Sequence, residues 1–266
     1  MFRPATHIGV LTLAVASLGA SAFASAERAA APRRPPAQPA LAPQPVAAPQ
    51  PVAVPQPPPR PHRAAPSYGI VTIDPGDDVA LRSAPGGPVL ATIGARTEFG
   101  SPQTLSVVAR RHDWLGVTSS TLPNGTIGWV DARNRSIGER QTDVSLVVRL
   151  SRRLLELRVG DRVAARIGVG VGAPGSATPT GRFAVTDKLS GAGYGPYYGC
   201  CILALSGHQT SAPSGWQGGD RLAIHGTDSP ATIGAAASAG CLHARDRDLQ
   251  LLMRRAPLGT PVFIRD

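Results

Sequence analysis

Two residues with the chemistry of acyl transfer lie near the C-terminal end of the sequence, His225 and Cys241. A cysteine attacks an acyl carbon only as a thiolate, and a free thiol has a pKa of about 8.5. A histidine within hydrogen-bond reach can take the thiol proton and later protonate the leaving amine. The pair therefore predicts Cys241 as a nucleophile and His225 as its base and then its acid.

The residues around Cys241 favour a tight loop, because Ser238 and Gly240 precede the cysteine within three positions. Glycine lets backbone N–H groups approach a substrate closely and point at a developing oxyanion. We expect the N–H groups near Gly240 and Cys241 to form an oxyanion site. Ser238 and Gly226, which follows the histidine, are expected to support the loop.

Apolar runs on either side of this pair predict the strands that position it. His225 ends the run Leu222–Ile224, and other runs lie at Ser145–Leu150, Leu154–Val159, Val163–Val171, Arg182–Val185, Ile202–Leu205 and Thr260–Ile264. Gly160-Asp161 is a hairpin turn signal. Asp246–Arg255 has an apolar face, acidic residues at its start and arginines at its end, as a helix dipole prefers. We predict a mainly β fold: a sandwich with one or two short helices.

At this point the segment 143–266 resembles the L,D-transpeptidase catalytic domain, also called the YkuD-type domain. The matching motifs are Pro179-Thr180-Gly181-Arg182-Phe183, Tyr194-Gly195-Pro196-Tyr197, His225-Gly226-Thr227, Ser238-x-Gly240-Cys241 and Gly259-Thr260-Pro261-Val262. The resemblance implies a β-sandwich with a catalytic cleft. It also implies that Tyr197, in the stretch that lines the cleft in relatives, contacts substrate.

The resemblance further implies a reaction on bacterial peptidoglycan stem peptides. Cys241 would attack the bond between the diamino acid at position three and D-alanine at position four. The acyl-enzyme would then pass to a side-chain amine of a neighbouring stem, which gives a 3→3 cross-link. Acylation of Cys241 by a carbapenem is expected on the same basis.

Two residues depart from the common family pattern Ser-His-Gly-Cys-x-Arg: Ala239 stands at the second histidine and His243 at the arginine. An arginine can hold a carboxylate at any pH, whereas histidine is charged only near or below its pKa. We hypothesise that His243 contacts substrate and alters its binding. The alternatives are that His243 only packs, or that Arg245 takes over.

The same fold is also compatible with three other functions. Release of D-alanine to water would make the protein an L,D-carboxypeptidase, and attack on an existing cross-link would make it an endopeptidase. A non-catalytic wall-binding protein is the rival from another class.

The N-terminal part of the sequence predicts an export signal followed by an extended linker. Residues 1–26 read as a signal peptide with overlapping small-x-small sites, and the membrane is involved only if this segment stays uncleaved. Residues 27–66 are a proline-rich, disordered linker that favours extended polyproline II. We therefore expect an extracytoplasmic location, in the cell wall or periplasm.

Residues 67–137 predict a small β domain. Five short apolar runs alternate with turn signals such as Pro123-Asn124-Gly125. The segments Leu81–Gly87 and Trp114–Val130 resemble bacterial SH3-like domains, which implies wall or peptide binding by a small barrel. Trp114 and Trp129 are predicted to belong to the barrel core; the alternative is that they stack on a ligand.

Composition excludes several classes of protein. The net charge of +10 is compatible with nucleic acid, anionic membrane or wall polymer, but no zinc-finger spacing, basic heptads or ribonucleoprotein motif is present. No metal site and no cofactor are predicted. Of the three cysteines, the adjacent Cys200 and Cys201 could close only a strained vicinal disulfide, and we expect two buried thiols on a strand instead.

Overall fold

A computed structural model describes residues 65–266 of the protein. The predicted signal peptide (1–26) lies outside the described residues, as does the predicted linker (27–66) except for its last two positions. Within the described span, no helix is long and apolar enough to cross a bilayer.

The first part of the described chain is one antiparallel sheet with its own apolar core. Its hydrogen-bonded order is β3-β2-β6-β5-β4-β1-β7. Val71, Leu81, Leu115 and Val117, all completely buried, lie in the centre of this core. The seven strands are β1 (Tyr68–Ile73), β2 (Asp78–Arg82), β3 (Val89–Gly94), β4 (Thr104–Arg111), β5 (Trp114–Thr118), β6 (Gly128–Asp131) and β7 (Ile137–Thr142).

This N-terminal sheet has two strands that the apolar runs did not predict, β1 and β7. β7 extends beyond the predicted boundary at residue 137, and it pairs along its whole length with β1. Its residues Glu139, Arg140 and Gln141 are exposed, so main-chain hydrogen bonds and not an apolar pattern define the strand. The resemblance to SH3-like domains stays a prediction.

The second part of the chain builds an eight-stranded sheet in the order β10-β9-β8-β17-β12-β13-β14-β16, with β11 and β15 paired separately. Its strands are β8 (Val144–Arg149), β9 (Leu154–Val159), β10 (Arg162–Gly168), β11 (Val171–Gly172), β12 (Gly181–Ser190), β13 (Cys201–His208), β14 (Arg221–His225), β15 (Ala236–Ser238), β16 (Leu242–His243) and β17 (Pro261–Arg265). Leu155 of β9 and Leu222 of β14 lie far apart in the strand order, yet they share one core cluster. The fold is mainly β, as predicted.

The helix predicted from the charge pattern is present as α1 (Asp246–Arg255). Asp246 and Asp248 occupy its first turn, where carboxylates complement the positive end of the helix dipole. Leu249 and Leu252 are completely buried in the core of the C-terminal sheet. Two residues separate the end of β16 from α1, so the start of α1 lies close to Cys241 in sequence.

The prediction for Cys200 and Cys201 is wrong, because the two residues form a disulfide with each other. Neighbouring residues of a strand point to opposite faces, which would separate the sulfurs. Cys200, however, lies in the turn that precedes β13, and only Cys201 belongs to the strand. Both residues are partly exposed, so they are not buried core thiols.

Candidate active site

Cys241 lies in a three-residue loop between β15 and β16, and its side chain is partly exposed. Its thiol lies 3.8 Å from the backbone carbonyl of Arg221, to which it donates a weak hydrogen bond. Burial raises the pKa of the Cys241 thiol to about 11, although a backbone hydrogen bond from Ala223 acts in the other direction. The thiol is therefore protonated at neutral pH.

Ser238 closes the loop through its hydroxyl group. Its Oγ donates to the carbonyl of Cys241 (2.6 Å) and accepts the N–H of Gly240 (3.1 Å). The Gly240 N–H is thus engaged within the loop, and an oxyanion site near Gly240 and Cys241 stays a prediction. Gly240 has a φ of +123°, a conformation that side chains rarely adopt, so its role in this structure is to shape the loop.

Three side chains from other segments hold the carbonyls of this loop. Thr178 Oγ1 donates to Gly240 (2.8 Å) and Ser176 Oγ donates to Ser238 (3.0 Å). Gln209 Nε2 donates to Ala239 (2.8 Å). The sequence analysis missed all three residues; Thr178 adjoins the recognised Pro-Thr-Gly motif at 179–181, whereas Gln209 belongs to no motif.

His225 ends β14 and is almost completely buried, with 1% of its surface exposed. Its Nδ1 is 2.6 Å from the carbonyl of Gly226, an acceptor, so Nδ1 carries the hydrogen and Nε2 presents its lone pair. Within the described residues, Nε2 has no hydrogen-bond partner. Burial, together with nearby His243, lowers the pKa of His225 to about 4, so the ring is neutral at neutral pH.

Gly226 holds His225 in this tautomer and has no room for a side chain. A Cβ at this position would lie 2.6 Å from Asp246 Oδ1 and 2.6 Å from the Cα of Gly199. Asp246 also accepts the N–H of Cys200 at 3.1 Å. The end of β14, the turn before β13 and the start of α1 therefore meet at Gly226.

The hypothesis that His243 contacts substrate is contradicted by its position. The residue is 2% exposed and does not belong to the wall of the pocket. Its Nδ1 is 3.0 Å from Thr232 Oγ1, and its ring centroid is 4.7 Å from that of His225. Burial lowers the pKa of His243, so it cannot replace a permanently charged arginine. Arg245 is exposed at the start of α1.

Cys241 and His225 line one pocket. No hydrogen bond joins the thiol to the imidazole, since the thiol faces the Arg221 carbonyl. Tyr197, predicted as a substrate contact, lies in the pocket wall. The remaining lining residues are Tyr198, Gln209, Trp216, Gly218, Gly219, Arg221, Ala223 and Ala239.

Arg221, a further residue that the sequence analysis missed, connects the pocket to the N-terminal sheet. Its guanidinium group donates to the carbonyl of Leu205 (3.1 Å), to Thr186 Oγ1 (2.8 Å) and to Glu98 Oε1 (2.5 Å). Its own carbonyl is the acceptor of the Cys241 thiol. Among residues 65–266, no three His, Cys, Asp or Glu side chains converge as metal ligands.

Comparison with known families agrees with the resemblance of the C-terminal part. The family model described as the L,D-transpeptidase catalytic domain, YkuD, matches residues 143–264. The resemblance of this segment to that catalytic domain is therefore confirmed.

Two curated Bacillus proteins called YkuD, each with the provisional name L,D-transpeptidase, are similar to the same part of the chain. The protein from Bacillus licheniformis is 33% identical over 119 residues, which are 45% of this chain and 64% of that protein. The protein from Bacillus subtilis is 32% identical over 119 residues, with the same coverage. The chain thus spans less than two thirds of these relatives.

Solved structures of L,D-transpeptidases are also similar to the chain. One is from Mycobacterium smegmatis, with 14% identity, a TM-score of 0.39 and coverage of 73% of this chain and 99% of that chain. Another is L,D-transpeptidase 3 from Mycobacterium tuberculosis in complex with a faropenem-derived adduct. It has 15% identity, a TM-score of 0.36 and coverage of 53% and 73%.

Proposed function

We propose that this protein is an exported peptidoglycan L,D-transpeptidase that forms 3→3 cross-links through an acyl-enzyme on Cys241. The observation that supports this proposal best is the shared pocket of Cys241 and His225. The carbonyl of Gly226 fixes the hydrogen on Nδ1, so the Nε2 lone pair of His225 is free to accept a proton. A thiol and an imidazole acceptor in one pocket are the elements that acyl transfer to sulfur requires.

The first half of the reaction breaks the bond before D-alanine. The sulfur of Cys241 attacks the carbonyl carbon while the thiol proton passes to His225 Nε2. The tetrahedral intermediate collapses, the C–N bond breaks, and the amino group of D-alanine takes the proton from Nε2. A thioester on Cys241 and free D-alanine result.

The second half transfers the acyl group to an acceptor. A side-chain amine of a neighbouring stem attacks the thioester carbon, and His225 Nε2 takes a proton from the amine. The C–S bond breaks and the sulfur recovers the proton. The product is the cross-linked dimer, and the enzyme returns to its starting state.

Both partners start as neutral groups, because burial raises the pKa of Cys241 to about 11 and lowers that of His225 to about 4. The proton therefore moves during the attack and not before it. Acylation should lose rate on the acidic side only as the pH approaches 4, where His225 becomes protonated and can no longer act as a base.

Covalent labelling by a carbapenem tests this proposal at Cys241. We expect intact mass spectrometry to show one adduct on the full-length protein and none on Cys241→Ala. His225→Asn should acylate at least about a hundredfold more slowly, since general acid–base catalysis contributes that much. The exposed His112→Asn serves as a matched control that acylates at the normal rate. Absence of both an adduct and turnover in the wild-type protein would favour the non-catalytic, wall-binding alternative.

Muropeptide analysis distinguishes the transpeptidase from the carboxypeptidase and the endopeptidase by their products. Purified protein incubated with tetrapeptide monomers should yield 3→3 dimers and D-alanine. Shortened monomers without dimers would instead assign the protein as an L,D-carboxypeptidase, and cleavage of added dimers would assign an endopeptidase.

Export and wall binding belong to the same proposal. The signal peptide at 1–26 would carry the chain out of the cytoplasm, and the linker at 27–66 would let the folded part reach the wall. The N-terminal sheet is proposed to bind the wall. Fractionation should place the protein outside the cytoplasm; recovery in the cytoplasmic fraction would contradict this part of the proposal.

A further inference from the structure

We propose that the N-terminal sheet is a working part of the active site, in which Asn124 fixes the backbone of residues 208 and 209, and Gln209 in turn positions the Cys241 loop. Asn124 and Gln209 are thus positioning residues. This inference rests on the proposed acyl transfer at Cys241.

The first link joins the two sheets through main-chain hydrogen bonds. Asn124, in the loop between β5 and β6, donates from Nδ2 to the carbonyl of His208 at 2.7 Å. Its Oδ1 accepts the N–H of His208 at 2.8 Å. The amide of Asn124 thus replaces a neighbouring strand for the last residue of β13. This double contact fixes the position and the direction of the chain as it enters residue 209.

The ring of His208 adds a second connection at the same point. Nε2 lies 2.7 Å from the carbonyl of Ser120, and Nδ1 lies 3.1 Å from Asp220 Oδ2. The backbone carbonyl of Asp220 also accepts the N–H of Gln209 at 2.6 Å. His208 therefore ends β13 and connects the two sheets.

Gln209, which follows the restrained residue His208, holds the loop that contains Cys241. Its Nε2 lies 2.8 Å from the carbonyl of Ala239, 3.0 Å from that of Ser176 and 3.2 Å from that of Ala177. A Cβ on Gly240 would collide with the Gln209 amide, so the glycine and the glutamine are in direct contact. The amide therefore ties the loop of Cys241 to the segment at 176–177, which itself supports the loop.

A second connection runs from the same sheet to the other side of the thiol. Glu98 holds the guanidinium group of Arg221 at 2.5 Å, and the Arg221 carbonyl accepts the thiol hydrogen. Residues of the N-terminal sheet therefore restrain both the loop that carries Cys241 and the acceptor that the thiol faces. Reactions at a positioned group are sensitive to such restraint, because a displacement of about 1 Å can cost a hundredfold in rate.

The test compares Asn124→Ala with Asn134→Ala in the full-length protein. Asn134 is a matched control, since its side chain only caps a turn within the N-terminal sheet. We expect Asn124→Ala to lower the first-order rate constant of acylation by a carbapenem roughly tenfold to a hundredfold. The apparent Kd of the encounter should stay unchanged. Asn134→Ala should acylate at the normal rate.

Alkylation of Cys241 by iodoacetamide supplies a readout that does not depend on the proposed function. A looser loop exposes more of the Cys241 thiol, so alkylation of Asn124→Ala should be faster while its acylation is slower. Gln209→Met, which keeps the side-chain length but removes the amide donors, should change both rates in the same directions. Thermal unfolding identifies any variant that has simply lost its fold.

Equal acylation and alkylation rates in Asn124→Ala and Asn134→Ala, both folded, would overturn the inference. The same holds if Gln209→Met retains both wild-type rates. If the wild-type protein forms no acyl adduct, the proposed function fails, and unchanged alkylation in Asn124→Ala would then separately refute the positioning role.

Discussion

At the scale of single residues, burial keeps the side chains of Cys241 and His225 uncharged. It raises the pKa of the Cys241 thiol and lowers that of the His225 imidazole, since a charged form loses hydration in both cases. A preformed thiolate–imidazolium pair is therefore absent at neutral pH. The pocket instead keeps a proton acceptor and a proton donor ready for transfer during the attack.

The low pKa of His225 makes the folded protein sensitive to acid. The unfolded residue has a pKa near 6.5 and the folded one a pKa of about 4, so the unfolded chain binds more protons between these values. The free energy of unfolding should therefore fall as the pH decreases through this window, by about 2 kcal/mol from pH 7 to pH 5 for this residue. Urea unfolding at both pH values measures the loss.

The variant His225→Gln should show a correspondingly smaller loss over the same pH interval, because glutamine does not titrate. His112→Asn provides the control: His112 is exposed, and asparagine tolerates its φ of +49°. If His225→Gln and wild type lose stability equally, the low pKa of His225 is wrong.

The sequence motif predicts Cys241, His225 and Ser238 as site residues, and Cys241 and His225 do line one pocket. It could not identify Gln209 or Arg221, whose contacts join segments far apart in the chain. It also misplaced His243, since nothing in a two-residue strand reveals which way a side chain points. Position 243 pairs with position 225 in parallel strands, and both histidines are buried.

At the scale of elements, the site depends on the junction of β14, α1 and the turn before β13. Gly226 lies between Asp246 at the start of α1 and Gly199 in the turn. Because the carbonyl of Gly226 accepts the Nδ1 hydrogen of His225, any shift of this junction turns the imidazole. The packing of three elements thus controls the direction of one lone pair.

Gly226→Ala should disturb this junction. The added methyl group cannot fit without movement of backbone, so we expect a loss of about 1–3 kcal/mol in unfolding free energy. The acylation rate should fall as well, because the His225 ring loses its alignment. Stopped-flow acylation and urea unfolding measure the two effects. Gly193→Ala is the control, since no heavy atom lies within 4 Å of its Cβ position, and comparable behaviour of the two variants would refute the prediction.

The elements themselves were predictable where an apolar pattern defines them. α1 begins and ends at the predicted residues, because the charges at its two ends and the spacing of its buried leucines indicate the same helix. The edge strand β7 was missed, since its polar residues carry no periodic signal. The disulfide of Cys200 and Cys201 was considered but not preferred, because adjacent cysteines do not reveal whether a strand or a turn contains them.

At the scale of the whole molecule, the two sheets share buried polar contacts. Asp187 of β12 is completely buried and accepts a hydrogen bond from Thr97 of the N-terminal sheet. Arg182 donates to the carbonyl of Val107 at 2.7 Å. Separating the sheets would leave such groups without partners, which is costly when they remain buried. The sheets should therefore unfold together.

Thr97→Val tests this coupling, because valine has the same shape but cannot donate to Asp187. We expect a loss of about 1–3 kcal/mol in unfolding free energy. Hydrogen exchange in increasing urea should show both sheets losing protection at the same lowered midpoint. Thr92→Val, an exposed position on β3, is the control. A midpoint that shifts in the N-terminal sheet alone would show that the two sheets unfold independently.

The disulfide between Cys200 and Cys201 also affects how long the protein keeps Cys241, the proposed nucleophile, as a free thiol. Three cysteines allow three pairings, and two of these would consume Cys241. The observed pairing of the two neighbours is the one that leaves it as a free thiol. Oxidants attack the thiolate, and a thiol with a pKa of about 11 exposes little of that form. In oxidising surroundings, then, the thiol of Cys241 is spared both from mispairing and from slow oxidative damage.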